Sequence, residues 1–114
     1  MTIIMHGLFD LKDDVEEAAF RQAFELFAEH LKDNRMVISS RFMRHQAHDG
    51  YNAREPLTEY YVSIEFEDMG QAEACWAYVQ ANDEPLKSLH SAVFSKVCNS
   101  SFFLSSDTRS EFTG

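Results

Sequence analysis

The stretch Thr2-Ile3-Ile4-Met5-His6-Gly7-Leu8-Phe9 decides how the rest of the chain is read. An extended segment sends successive side chains to opposite sides. Ile3, Met5, Gly7 and Phe9 therefore share one side, and Ile4, His6 and Leu8 the other. Both sets are largely apolar, the pattern of a central strand covered from two directions. Whatever packs on one side, something further has to shield the other.

Downstream the period changes. From about Asp14 to Lys32, Phe20, Phe24, Phe27 and Leu31 recur at steps of three and four, with Ala23 and Ala28 beside them, which predicts an amphipathic helix. Asp14 followed by Glu17 resembles a capping box, and Asn34 is placed to end the helix in a left-handed turn. A second strand is expected from Arg35 to about His45, with Met36, Ile38, Ser40 and Phe42 on one face and Val37, Ser39, Arg41, Met43 and His45 on the other. The turn formers Asp49-Gly50, Asn52 and Pro56 follow in a long connection. A clean alternation, Tyr60, Val62, Ile64, Phe66 against Glu59, Tyr61, Ser63, Glu65, marks a third strand over Thr58 to Glu67.

Asp68 with Gln71 caps a second helix carrying Ala72, Cys75, Trp76 and Val79 on its apolar stripe. A short third helical segment is expected from Pro85, with Leu86, Leu89 and Val93 at helical steps. Asn99 to Ser105 reads as the last strand, Phe102 and Leu104 on one face and Phe103 on the other. The chain thus divides into one domain over residues 1–105 and a polar C-terminal tail over 106–114.

This order, βαββαβ, is that of an α+β, ferredoxin-like fold with a four-stranded antiparallel sheet. Right-handed crossovers put both main helices on one face. Ile4, Leu8, Phe103 and either Met43 or Phe42 are then left on the other, and a second copy of the chain is the economical cover. The 114 residues fit a single domain, and an apolar share of 45% argues against wholesale disorder. A formal charge of −9 repels phosphate backbones and anionic membranes, so neither a nucleic-acid nor a membrane partner is expected. Cys75 and Cys98 are in no metal-type spacing, and no secretory leader pattern opens the sequence, so free thiols and a cytoplasmic location are expected.

The strand Thr2–Phe9, the Phe-rich helix, the two middle strands and the C-terminal helix-plus-strand together resemble the dimeric α/β-barrel superfamily over about residues 2–105. It includes small stress-responsive barrel proteins, antibiotic-biosynthesis-type monooxygenases and heme-degrading enzymes. The resemblance implies a homodimer whose two sheets enclose a barrel-like interior, often with a pocket between sheet and helices. Trp76 with His90 is similar to the heme-degrading members, which keep a Trp and a His near the pocket. Those also carry an Asn on the first strand, where this chain has Met5-His6-Gly7, so heme turnover is not expected.

No Gly-rich phosphate loop, G-x-S-x-G, HExxH or paired CxxC is present. The candidate catalytic residues are His6, as general base, with Tyr61 and Glu65 on the polar face of the third strand. Against this stands a satisfied interior histidine for His6 and a structural ion pair at the interface for the third-strand residues. Candidate ligand contacts are Arg41, Tyr51, Arg54, Trp76 and Phe103, with Arg41 reaching Glu65 or a ligand carboxylate and the loop residues Tyr51 and Arg54 closing a pocket mouth. His45 and His48, three apart at a strand end, lack a convincing third ligand, so no metal is expected, nor any cofactor. Ten Phe and five Met supply a lining suited to apolar guests. The expectation is a homodimeric binding protein for a fatty-acyl or aromatic molecule. A cofactor-independent monooxygenase or isomerase, and a ligand-free structural or stress-related dimer, are the alternatives.

Overall fold

The computed structural model describes residues 1–107. Its elements run β1 (Ile3–Leu11), α1 (Glu17–Asp33), β2 (Ser39–Arg44), β3 (Tyr60–Phe66), α2 (Met69–Gln80), α3 (Leu86–Phe94) and β4 (Val97–Ser106). The strands form one antiparallel sheet in the order β2-β3-β1-β4, which is the ferredoxin-like arrangement. Ser106 closes β4, and the remainder of the expected tail, from residue 108, lies outside the described residues. No helix among the described residues is long and apolar enough to cross a membrane.

The two faces of β1 part as its alternation requires. Ile3, Met5, Gly7 and Phe9 stand opposite Phe66, Ile64, Val62 and Tyr60 of β3, and this face meets the helices. Phe27 and Leu31 of α1, Ala72 and Cys75 of α2 and Leu86 of α3 share one buried cluster with Ile3, Ile64 and Phe66. Phe20 and Phe24 of α1 join Phe9, Tyr60 and Val62 in a second. Phe42 of β2 packs on the latter, its ring 4.9 Å from that of Phe20. Ile4, His6 and Leu8 point away from all three helices.

The register of β2 settles the question of Phe42 and Met43. Phe42 pairs with Val62 on the helix side; Met43 pairs with Tyr61 on the open side and is 42% exposed. Regular pairing begins at Ser39, later than the expected Arg35, and the strict alternation fails before it: Val37 is buried in the core although Arg41 and Met43 face outward. The cause is the end of α1. Arg35, not Asn34, takes the left-handed conformation (φ 58°). The Arg35 N–H donates to the Lys32 carbonyl and the Met36 N–H to the Leu31 carbonyl, a Schellman turn after which the chain takes up the strand's alternation only at Ser39.

At the other end of α1 the expected capping box does not form. Glu16 occupies the capping position without a side-chain bond. The Glu17 carboxylate instead accepts from Arg44 at 3.2 Å and from the Tyr60 hydroxyl at 3.2 Å, and Arg44 also meets Glu59 at 3.5 Å. The guanidinium holds Glu17 below the usual carboxylate range, since a tertiary cation outcompetes a local amide for the same oxygens. On α2 the expected cap is present: the Gln71 N–H donates to Asp68 at 2.8 Å.

Gly7 is the one position on β1 where a side chain cannot fit. A Cβ there would lie 2.8 Å from a ring carbon of Phe102 and 2.8 Å from a methyl of Val62. Its absence lets the Phe102 ring of β4 lie over β1. Gly7→Ala is expected to cost about 1–3 kcal/mol through overpacking. It should lower the urea midpoint without changing the slope of the transition.

Candidate functional site

Two places on this fold bring chemistry-bearing residues together, and they lie on opposite sides of the sheet. The first is the open face. His6 Nδ1 and the Tyr61 hydroxyl are hydrogen-bonded at 2.5 Å, and Phe103 stacks on the imidazole with centroids 4.6 Å apart. His6 Nε2 is buried and has no hydrogen-bond partner among the described residues. Glu65 accepts from the Ser39 hydroxyl at 2.8 Å. The expected Arg41–Glu65 contact does not form, because the register sets Ser39, not Arg41, opposite Glu65. Arg41 lines a surface groove beside α1 with Lys32 and Asp33. Around these polar groups, Ile4 and Leu8 are only partly covered and Phe103 is 51% exposed.

The second place is a cavity of about 450 Å³ between the sheet and the helices. Met5, Val62, Ile64 and Phe102 form its floor; Phe20, Phe24 and Phe27 of α1, Trp76 and Val79 of α2 and Val93 of α3 form its walls. Such a volume is ordinary for a small-molecule site. The lining is buried or half-buried except at Phe94, Phe102, Ser100 and Gln80, which are exposed and mark the mouth, on the side of β4. Phe94 and Phe102 are each 50% exposed. Trp76 meets Phe66 edge-on at 6.3 Å.

Among the described residues the cavity holds two ionisable side chains, Cys75 and His90. Burial pushes the Cys75 thiol up to about 11, so it is a protonated, apolar wall element with no nucleophilic character. His90 lies against Phe94 (5.6 Å, nearly parallel) and Phe27 (5.6 Å, tilted). Burial lowers its pKa, which keeps the imidazole neutral at physiological pH.

The sequence-derived candidates therefore separate. His6, Tyr61, Glu65 and Phe103 gather on the open face; Trp76 lies in the cavity; nothing in the cavity can reach His6, whose neighbours Met5 and Gly7 face the other way. Tyr51, 91% exposed, and Arg54 contribute nothing to the cavity mouth. Their loop leaves the sheet beside the end of β1, where Asp10 accepts from the Glu59 N–H at 2.8 Å, and Arg54 lines a surface groove there with Asp10, His45 and His48. His90 is the cavity residue that a search for a base on the strands passes over. Its signal is its position four residues after Leu86 and four before Phe94, on the apolar stripe of α3.

The fold recurs in solved structures at low sequence identity. SnoaB, a cofactor-independent oxygenase from Streptomyces nogalater, aligns with a TM-score of 0.67 and 12% identity, covering 93% of this chain and 92% of that one. A dimeric ferredoxin-like protein of unknown function from Jannaschia sp. CCS1 aligns with a TM-score of 0.68 and 7% identity over 94% of this chain and all of its own (100%). A DABB family protein with a ferredoxin-like fold from Mesorhizobium loti gives 0.59 and 16%, covering 93% and 96%. These likenesses show that the subunit has the ferredoxin-like fold. No curated protein sequence matches the chain. The model of the family of unknown function DUF6614 matches residues 1–108, and the chain belongs to that family.

Proposed function

We propose that this protein is a homodimeric binding protein that holds an apolar small molecule between its sheet and its helices. The observation that carries the reading is the cavity of about 450 Å³ with its almost wholly apolar lining. A domain of this size packs its interior to near-crystalline density unless the space has a use. A ligand-free structural dimer is disfavoured on the same ground. The dimer itself is supported by the open face and by the structural neighbours described as dimeric ferredoxin-like proteins. Each of Ile4, Leu8, Met43 and Phe103 would contribute about 1.5–3 kcal/mol if fully covered by a second sheet.

A second reading, cofactor-independent oxygenation, is favoured by the likeness to SnoaB. The two readings part on oxygen consumption: a binding protein saturated with an aromatic guest consumes none in an oxygen electrode.

In native mass spectrometry the purified protein is expected at twice the chain mass, and Leu8→Glu on the open face should shift it to the single-chain mass. A wild-type protein that sediments as one chain at high concentration sinks the dimer. The uncharged dye N-phenyl-1-naphthylamine is expected to brighten on binding. Val79→Trp, which fills the cavity from α2, should abolish that signal while circular dichroism stays unchanged. Equal brightening in both proteins would show that the dye binds elsewhere and that the cavity is not a ligand site.

A further inference from the structure

The polar content of the cavity is sparse, and that sparseness constrains the guest. Among the described residues no Lys, Arg, Asp or Glu lines it. Gln80 and Ser100 sit at its exposed mouth, and Cys75 is a protonated thiol in its wall. Within it the Trp76 indole N–H can only donate, and His90 is the interior side chain that offers both a donor and an acceptor. Its ring makes two aromatic contacts and no hydrogen bond among the described residues. Unlike His6 Nε2, its nitrogens are not sealed off, so they remain available to a molecule in the cavity.

A guest with a carboxylate or a sulfonate would bring a charge into this space with no cation among the described residues to meet it. Leaving an ion unpaired in apolar surroundings costs far more than one hydrogen bond returns. A guest without any polar group would leave the imidazole unsatisfied, a smaller loss. A neutral imidazole offers one donor and one acceptor, and a hydroxyl complements either nitrogen.

We infer that the cavity takes an uncharged, hydroxyl-bearing apolar molecule and that His90 is the residue that recognises the hydroxyl. This rests on the cavity being a ligand site. It also specifies what the amphipathic guest expected from Arg54 cannot be: that guanidinium lies in a different groove, and an anionic head group has no counter-charge at the cavity among the described residues.

Three probes of one shape test it: naphthalene, 2-naphthol and 2-naphthoate, each measured by equilibrium dialysis against the full chain at pH 7.5. Wild type is expected to bind 2-naphthol about tenfold more tightly than naphthalene, the worth of one hydrogen bond, and 2-naphthoate at least about tenfold more weakly than 2-naphthol. His90→Leu should bring 2-naphthol to the level of naphthalene and leave naphthalene unchanged. His90→Gln, which keeps a donor and an acceptor, should retain the preference. Wild type binding naphthalene and 2-naphthol equally, or taking 2-naphthoate as well as 2-naphthol, overturns the inference while leaving the cavity a ligand site. If none of the three probes binds, the cavity reading falls and the inference with it. Should His90→Leu fail to fold, the wild-type ranking of the probes still decides the matter.

Discussion

Everything in this molecule is arranged around the alternation of β1. One set of its side chains joins β3 and the helices in a buried core; the other is turned to a face that no helix among the described residues covers. A two-residue period admits no compromise, because a shift of one residue would exchange the two sets entirely. The pairing of Ile3 with Phe66 at one end and of Phe9 with Tyr60 at the other holds that register. At the latter end Asp10, just past the irregularity in the β1–β4 ladder, ties the strands together, accepting from the Glu59 amide and, at 3.1 Å, from the Asn99 side chain.

The same alternation explains why the molecule has two candidate sites rather than one. A residue on β1 serves either the cavity or the open face. His6 is committed to the second by its neighbours, and its pairing with Tyr61 and Phe103 makes it part of a surface that a twin subunit would bury. The cavity takes its polar character from a helix instead. His90 comes from α3, where the turn-by-turn spacing carries it onto the stripe facing the sheet between Leu86 and Phe94. Gly7 contributes by what it lacks: the absence of a Cβ lets the Phe102 ring lie against β1 and serve as floor.

Local signals were legible where the competing partners were also local. The Asp68 side of the Asp68–Gln71 cap formed as its spacing requires, while the Gln71 side chain accepts from the Glu67 N–H and donates to the Arg35 carbonyl. The Asp14–Glu17 box did not, because Arg44, twenty-seven residues further along, claims the Glu17 carboxylate. The helix stop moved one residue from Asn34 to Arg35: Asn34 uses its side chain to hold the His30 carbonyl at 2.8 Å, and the left-handed residue follows it. The long connection after β2 does not close the cavity, and its composition carries no information on which end of the sheet it leaves from.

From its residues alone, the chain's element order, its ferredoxin-like topology, the two-faced first strand and the apolar stripe of α1 all follow, because each depends on a period of two or 3.6 within a short window. What only the tertiary structure decided is which side of the sheet each candidate serves, that Arg41 and Glu65 do not meet, and that His90 shares a cavity with Trp76. Those are relations between segments far apart in sequence. They are set by strand register and by how closely bulky rings can pack, and neither is written in any one segment.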